Sequence, residues 1–303
     1  MTAPHIAFLG IGLMGAPMVH NLLAAGFPMT LWNRTARKCE PFEVSATIAA
    51  TPAEAVAGAD VVITMLENGD VVESVLVAQG VMPALRPDAV LVDMSSVQPS
   101  LARRHAALAA EQGAGYLDAP VSGGTRGAEA GTLSIMAGGK ADTLGKVRPV
   151  FEALGQVTHI GPVGAGQLAK LANQAIVGIT IGAVSEALLL AAKGGADPVA
   201  VREALMGGFA GSKILEQHGQ RMIDRDFAPG APARIQLKDL RMILDEARSE
   251  GLTLPLAQLA HNSYLSLVAN GHADVDHSGL LLELEHVNGA RLGGFRQDSK
   301  GQD

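Results

Sequence analysis

The sequence is short of the residues on which several protein classes depend. Its single cysteine, Cys39, excludes an intramolecular disulfide and fits a reducing compartment. Basic residues number 23 against 30 acidic ones, and the net charge of −7 argues against a nucleic-acid surface, which needs clustered Lys and Arg. No Cys/His cluster has zinc-ligand spacing, so we expect no metal site. We interpret His159, His218 and His277 as ordinary histidines without an acidic or cysteine partner at ligand spacing.

Targeting and membrane signals are also scarce. The first residues show no basic region followed by an apolar one, and we expect a cytoplasmic protein. Only Ala175–Ala192 is long and apolar enough to suggest a membrane span. This run is rich in Gly and Ala, carries Glu186 and lacks flanking aromatic anchors. We therefore predict a helix that is buried in protein on all sides, and no membrane partner.

A glycine-rich segment near the amino terminus lies between a predicted strand and a predicted helix. Residues 5–10 have the apolar character of a buried parallel strand, and residues 16–25 have the apolar period of a helix. Between them lies Gly10-Ile11-Gly12-Leu13-Met14-Gly15, and a second strand is predicted over 28–32. In this context the glycines permit a tight turn and a close approach of the backbone to a pyrophosphate. We predict that these six residues bind a dinucleotide at a helix N-terminus.

The residues after the second predicted strand bear on the identity of the dinucleotide. NAD enzymes place an Asp or Glu about 20 residues past the glycine loop, on the ribose 2′-hydroxyl. This chain has Asn33-Arg34-Thr35 instead. No carboxylate repels a 2′-phosphate there, and the guanidinium of Arg34 can hold one. We predict NADP in preference to NAD, although Arg34 as a solvated turn residue is the alternative.

The alternation of strands and helices continues to about residue 160. Ligands bind beyond the carboxyl ends of parallel strands, which makes Met65, Leu66 and Ser96 candidate cofactor contacts, with loop packing as the alternative. Farther on, Ser122 is followed by Gly123 and Gly124, and the three offer a hydroxyl and unhindered N–H groups to a carboxylate or carbonyl oxygen. The elements predicted in this part are strands at Asp60–Leu66, Ala89–Asp93, 131–139 and Gln156–Ile160, and helices at Val71–Ala78, Pro99–Gln112 and 141–153.

A second glycine loop, within 161–166, leads into a long apolar helix. The first turns of this helix carry Lys170, Asn173 and Gln174, and spacings of three and four put both amides on the face of the lysine. A cation near the positive end of a helix dipole loses about 0.3–1 kcal/mol. Helix stability therefore does not favour a lysine in the first turns of a helix. A side chain that merely extends to solvent remains the alternative.

The rest of the chain shows no strand pattern. Asp197-Pro198 has the cap and first-turn proline of a helix, and helical periodicity covers 235–250, 256–270 and 278–288. We predict a Rossmann-type, doubly wound and mostly parallel α/β domain over 1–161. It is followed by an all-helical domain over 162–290, which begins with the long joining helix, and by a disordered tail over 291–303.

Several separated motifs together resemble the β-hydroxyacid dehydrogenase family over roughly residues 5–288. They are the cofactor loop 10–18 with Asn21-Leu22, the run 118–124 continued by 131–133, Gly164-Ala165-Gly166 with Lys170 and Asn173, and Lys238-Asp239-Leu240. The resemblance implies hydride transfer between NADP(H) and a short hydroxy or oxo acid, and a homodimer or homotetramer. It assigns Lys170 as the acid/base group, Ser122, Gly123, Gly124 and Asn173 to the substrate, and Lys238 to the neighbourhood of the nicotinamide.

The likeness favours 2-hydroxy-3-oxopropionate as substrate, with 3-hydroxyisobutyrate or another 3-hydroxyacid as the alternative. Imine reductases and non-catalytic dinucleotide-binding relatives generally lack the lysine that this chain keeps at Lys170. The chain departs from the family pattern at Ala231, where an aromatic residue is frequent, and at Glu67, where the family has proline. These two departures bear on the substrate pocket and on the loop beside the cofactor.

Overall fold

The computed structural model describes residues 3–293. The chain divides into two compact units, Met1–Lys170 and Leu171–Asp303. The sequence placed a domain boundary after residue 161, whereas the division by contacts assigns the first turns of the long helix to the first unit. Residues 294–303 of the tail that we predicted to be disordered lie outside the described residues.

One mixed sheet organises the first unit. In the described part of the chain its nine strands are β1 (Ile6–Leu9), β2 (Met29–Trp32), β3 (Thr47–Ile48), β4 (Val61–Thr64), β5 (Val90–Asp93), β6 (Gly115–Asp118), β7 (Val121–Ser122), β8 (Leu133–Gly139) and β9 (Gly155–Gly161). They are ordered β3-β2-β1-β4-β5-β6-β8-β7, with β9 also paired to β8. The strands from β3 to β6 are parallel, and β8 runs antiparallel to β6 and β7. The predicted mostly parallel Rossmann-type sheet is confirmed.

Helices cover both faces of this sheet. They are α1 (Gly15–Ala24), α2 (Pro52–Val56), α3 (Gly69–Glu73), α4 (Val81–Ala84), α5 (Pro99–Glu111), α6 (Gly124–Ala130) and α7 (Ala141–Glu152). Successive strand residues point to opposite faces, so Ile6 and Phe8 of β1 enter one apolar core while Ala7 and Leu9 enter the other. Full burial of a side chain such as Phe8 contributes about 1.5–3 kcal/mol. These two cores hold the strand ends, and therefore the loops that follow them, in fixed positions.

The second unit is helical, as predicted. Its elements are most of α8 (Ala165–Lys193), then α9 (Pro198–Met206), α10 (Lys213–Asp224), α11 (Ala233–Ser249), α12 (Pro255–Ala269) and α13 (Leu280–Asn288). The predicted cap of α9 is confirmed, because the Asp197 carboxylate accepts a hydrogen bond from Val199 N at 3.1 Å. A core that includes Leu188, Leu240 and Tyr264 joins these helices.

The prediction that Ala175–Ala192 is buried on all sides is wrong for a single chain. Of the described helices, only α8 is long and apolar enough to cross a membrane, and 39% of its most apolar window is buried. Ile181 and Leu188 are fully buried, whereas Ile176 is 66% and Leu190 76% exposed. The helix therefore packs along one side, and its apolar side chains extend to positions that the rest of the described residues do not cover.

Several short elements were not anticipated. The two-residue strands β3 and β7 are too short to produce an alternating pattern, and α6 lies in a stretch for which no helix was predicted. Helix α10 was missed although Ser212 caps it, with Ser212 Oγ accepting from Leu215 N at 3.0 Å. The helix predicted at Val71–Ala78 is α3 followed by a single π-helical turn at Ser74–Ala78.

Candidate functional site

The first glycine loop lies where the strand order reverses between β1 and β4. Ligands of doubly wound sheets bind at such a switch point. Gly10 has φ +112°, and a Cβ there would lie 2.3 Å from Met65 O, so the loops after β1 and β4 touch. A Cβ on Gly15 would lie 2.0 Å from Gly10 O, whereas one on Gly12 would meet nothing within 4 Å. The first and third glycines are thus required for packing, and the second opens a backbone cradle that fits a dinucleotide pyrophosphate.

Asn33 holds this loop rather than simply ending a strand. Its Oδ1 accepts from Ile11 N at 2.9 Å, and its Nδ2 donates to Thr35 O at 3.0 Å. Arg34 and Thr35 follow as exposed residues, ahead of a 3₁₀ turn at Ala36–Lys38. Within the loop, Ile11 is buried and Leu13 is 70% exposed. The glycine loop and the segment after β2 are therefore joined by the side chain of Asn33. The sequence pattern of strands and turns does not predict this hydrogen bond.

The loops after β4 and β5 are bonded to each other. Thr64 Oγ1 donates to Asp93 Oδ1 at 2.8 Å, and Ser95 N donates to the same oxygen at 3.0 Å. Leu66 N donates to Ser95 Oγ at 2.9 Å. Burial raises the pKa of Asp93, while the bonds from Ser95 and Thr64 act in the opposite direction. The predicted contacts Met65 and Leu66 therefore lie on a loop that is fixed to the loop containing Ser96.

A buried carboxylate anchors the start of α8. Asp118, the last residue of β6, accepts from Gly164 N on Oδ1 at 2.8 Å and from Gln167 N on Oδ2 at 2.9 Å. Burial raises the pKa of Asp118, and these two backbone bonds act against the rise. A Cβ on Gly138 would lie 2.6 Å from Asp118 Oδ1, so glycine is needed beside the carboxylate. Lys170 lies on α8 one turn beyond this anchor.

Ser122 ends the short strand β7, and its backbone pairs with that of Ser134 in β8. Gly123 and Gly124 follow with φ +135° and +62°, values that disfavour other residues. A Cβ on Gly124 would meet nothing within 4 Å, so the backbone is open on that side. The geometry fits the predicted use of these three residues for a small polar ligand.

In the second unit two predicted site residues are connected by two hydrogen bonds and one ion pair. Asn173 Nδ2 donates to Gln174 Oε1 at 2.8 Å, and Gln174 Nε2 donates to Asp239 Oδ2 at 2.6 Å. Lys238 Nζ forms an ion pair with Asp239 Oδ1 at 3.1 Å. Asn173 and Lys238 are thus linked through Gln174 and Asp239. The resemblance singled out only the outer two residues, although Asp239 stands next to Lys238 in the same sequence motif.

The prediction that His218 and His277 lack an acidic partner is wrong. The Nε2 atoms of these histidines lie 3.3 Å apart, and His218 Nδ1 lies 3.5 Å from Asp276 Oδ1. The three side chains offer metal-ligand atoms within 4.8 Å of one another. However, Asp276 Oδ2 already faces Arg221 Nη1 at 3.2 Å, and a guanidinium this close opposes the binding of a dication.

Asp276 instead joins three segments of the second unit. Its Oδ2 accepts from Gly230 N and Ala231 N, both at 3.1 Å. Its Oδ1 accepts from Ser278 N at 3.0 Å and from Ser278 Oγ at 2.6 Å. We call Asp276 with His218, His277 and Arg221 the carboxylate hub. The sequence contains Asp276-His277-Ser278, but it cannot show that His218 and Arg221 of α10 reach these residues.

The buried imidazole of this hub makes stability dependent on pH. Burial lowers the pKa of His277 from 6.5 to about 4, although the Asp276 carboxylate acts to raise it. Below pH 6.5 the unfolded chain therefore takes up a proton that the native protein does not, and native stability falls as the pH drops towards 4. Near pH 4 the free energy of unfolding has fallen by about 3 kcal/mol through this histidine.

Urea unfolding at pH 7 and pH 5 tests this prediction. We expect wild type to lose stability between the two values and His277→Asn to lose clearly less, since the variant has no imidazole to protonate. His286→Asn removes an exposed histidine of α13 and should keep the wild-type dependence. Equal pH dependence in wild type and His277→Asn would contradict the assignment.

Comparisons with known proteins agree with this geometry. Residues 5–161 match the family described as the NAD binding domain of 6-phosphogluconate dehydrogenase. Residues 164–284 match the family described as NAD-binding of NADP-dependent 3-hydroxyisobutyrate dehydrogenase. The two matches together cover both units of the chain.

Individual relatives are similar along nearly their whole length. A 2-hydroxy-3-oxopropionate reductase of Escherichia coli (strain K12) is 43% identical over 95% of this chain and 99% of the relative. A 3-hydroxyisobutyrate dehydrogenase of Pseudomonas aeruginosa is 38% identical over 91% of this chain and 95% of the relative. The solved structure of Mycobacterium tuberculosis 3-hydroxyisobutyrate dehydrogenase with L-serine gives a TM-score of 0.85 at 35% identity, covering 93% of this chain and 99% of that one.

Proposed function

The chain belongs to the β-hydroxyacid dehydrogenase family and is an NAD(P)-dependent oxidoreductase acting on a CH–OH group, and from this premise we propose that it reduces 2-hydroxy-3-oxopropionate to glycerate. The three relatives named above are associated with 2-hydroxy-3-oxopropionate, 3-hydroxyisobutyrate and L-serine. These compounds share a carboxylate and an oxygen function on carbon 3. The similarity to the Escherichia coli reductase supports the first of them.

The observation that carries the reaction type is the anchoring of α8 by Asp118. It ties the helix that bears Lys170 to the carboxyl edge of the sheet, and the glycine loop lies at the same edge. When bound, the reduced nicotinamide supplies a hydride to the aldehyde carbon. Negative charge then builds on the carbonyl oxygen. The ammonium of Lys170 stabilises this charge and donates the proton that completes the alcohol.

The remaining predicted residues have binding roles in this proposal. Ser122, Gly123 and Gly124 hold the substrate carboxylate through a hydroxyl and backbone N–H groups. The amide of Asn173 orients the substrate, and its bond to Gln174 restricts the amide rotamer. Lys238 contributes to cofactor binding in this proposal, and its ion pair with Asp239 holds the ammonium in place.

We propose NADP(H) as the preferred cofactor. None of the three residues directly after β2 is a carboxylate that would oppose a 2′-phosphate, and Asn33 is engaged in holding the glycine loop. Arg34 is exposed directly after it, and Arg37 and Lys38 follow in the 3₁₀ turn. A hydrogen bond to a charged group contributes roughly 1.5–3 kcal/mol, which corresponds to about a 10- to 150-fold difference in affinity.

A panel of substrates run with both cofactors tests the proposal. The panel holds 2-hydroxy-3-oxopropionate for reduction, and 3-hydroxyisobutyrate, L-serine and glycerate for oxidation. We expect the highest kcat/KM for 2-hydroxy-3-oxopropionate with NADPH. A higher value for 3-hydroxyisobutyrate would support the alternative substrate, and tighter binding of NAD would reverse the cofactor assignment. Failure to turn over any short hydroxy or oxo acid would indicate a non-catalytic dinucleotide-binding protein.

We also propose that the protein is a homodimer or homotetramer. Ile176 and Leu190 of α8 are exposed, and Leu256 and Leu259 of α12 are 61% and 64% exposed. Leu256 and Leu259 are three residues apart and therefore neighbours on one face of α12, and adjacent exposed apolar side chains are typical of protein interfaces. Sedimentation equilibrium of the full chain measures the assembly directly, and a monomer at micromolar concentration would contradict it.

A further inference from the structure

One buried amide of the first unit bonds to a loop at both of its ends. Gln167 lies in the first turn of α8 and is 1% exposed. Its Oε1 accepts from Val97 N at 3.1 Å, and its Nε2 donates to Ser95 O at 2.8 Å. Both partners are backbone atoms of the loop after β5. Loss of such bonds in a buried place leaves each partner unsatisfied, at roughly 1–3 kcal/mol apiece.

The side chain of Gln167 bonds to the loop after β5, which is itself hydrogen-bonded to the loop after β4. Ser95 accepts from Leu66 N through its hydroxyl and donates through its own N–H to Asp93. The side chain of Gln167 therefore connects the start of α8 with two loops that carry predicted cofactor contacts. All of these residues belong to the first unit.

The two anchors of α8 restrain different motions of the helix. Asp118 holds the N–H groups of Gly164 and Gln167, which lie close to the helix axis and fix the position of its end. The side chain of Gln167 extends away from the axis, so its bonds oppose rotation about the axis. Lys170 follows three residues later, about 60° around the helix from Gln167 and one turn along it. A rotation of α8 would therefore swing the lysine sideways.

We propose that Gln167 is a positioning residue that sets the place of Lys170 relative to the cofactor loops after β4 and β5. This inference rests on the proposed role of Lys170 in proton transfer. A displacement of a reacting group by about 1 Å can lower a rate about 100-fold, which gives a restraint of this kind a measurable effect on turnover. The amide is suited to the task because Ser95 O needs a donor and Val97 N needs an acceptor.

Gln167→Met tests the proposal, because methionine has a similar length and shape without either hydrogen bond. We expect kcat to fall about 10- to 100-fold while the KM values for substrate and cofactor stay close to wild type. Thr30→Val is the matched control. It removes a partly buried side-chain bond to His5, at the opposite, amino-terminal end of the sheet. This control should lose thermal stability but keep the wild-type kcat, so that general destabilisation is separated from positioning.

Gln167→Glu tests the hydrogen bonds through the pH dependence of kcat, which a change of packing alone would not alter. A carboxyl group replaces both bonds only when it is protonated, since the ionised form offers no donor to Ser95 O. Burial raises the pKa of such a carboxyl, and the nearby Asp118 carboxylate adds to the rise. We expect the kcat of Gln167→Glu relative to wild type to increase as the pH falls, whereas the ratio for Gln167→Met stays flat.

A double variant shows whether Gln167 acts through the lysine. In the background of Lys170→Ala, the further change Gln167→Met should lower kcat only slightly, because the group that it positions is already gone. Multiplied effects, or full kcat in Gln167→Met alone, would overturn the positioning role. If Lys170→Ala by itself kept wild-type turnover, the proposed function of the lysine would fail instead, so the two failures are distinguishable.

Discussion

Lys170→Ala is expected to lower kcat for the reduction by roughly 10²- to 10⁴-fold, the usual contribution of a positioned general acid. Without the ammonium, the charge that builds on the carbonyl oxygen loses its assigned proton donor, and hydride transfer becomes less favourable. The affinity for cofactor should change little, because the glycine loop and Asn33 do not depend on this side chain. Steady-state kinetics with a semialdehyde substrate and fluorescence titration with NADPH measure the two quantities.

Two further variants make this test specific. Lys170→Arg keeps the positive charge but scarcely gives up a proton, so its kcat should stay well below wild type. Lys193→Ala removes an exposed lysine at the opposite end of the same helix and should leave kcat unchanged. Wild-type turnover in Lys170→Ala would remove the lysine from the chemistry.

Local signals in the sequence predicted most of the fold because each acts over a few residues. Thr51 caps α2, with Glu54 completing a capping box, and Pro99 begins α5 as expected. The apolar runs of β1 and β4 correspond to strands that are buried on both faces. What failed was very short, such as β7, was missed despite its cap, as α10 was, or depended on the surroundings of α8. Apolar composition indicates what a helix can bury, but not which side the rest of the chain covers.

In the candidate site, too, local features could be inferred from the sequence, whereas contacts between distant residues could not. The glycine loop and the lysine could be proposed from the sequence, because their spacing within a helix or turn expresses their chemistry. The anchors were not, because Asp118 meets Gly164 across 46 residues and Gln167 meets Ser95 across 72. His277 meets His218 across 59 residues. A buried polar residue in the sequence shows that some partner is needed. Only the fold shows which partner it has.

Asp276→Ala is expected to cost about 3–5 kcal/mol of stability, as when one member of a buried ion pair is removed. The carboxylate accepts from the N–H groups of Gly230, Ala231 and Ser278 and faces Arg221. Alanine would remove the acceptor of these three N–H groups, while Arg221 keeps its bonds to the carbonyls of Asp226 and Ala228. Denaturant unfolding followed by circular dichroism measures the loss.

Asp274→Ala is the matched control for this prediction. It removes an acid two residues earlier whose ion pair with Arg234, at 2.9 Å, is solvent-exposed. Such a pair contributes about 0–1 kcal/mol. Equal losses in the two variants would mean that the hub is no stronger than a surface pair.

The acid side of the stability curve gives a second measure of the same hub. Burial acts to raise the pKa of Asp276, but the contacts with His218 and Ser278 outweigh it and hold the pKa well below its usual range. The stabilisation is therefore present above the ordinary pKa of an aspartate and is lost as the pH falls through the lower native value. Asp276→Asn keeps the shape without the charge, so we expect it to be destabilised at pH 7 and to lose little more on acidification below pH 4. If Asp276→Asn had the stability of wild type both at pH 7 and below pH 4, the shape of the side chain, and not its charge, would hold these three segments together.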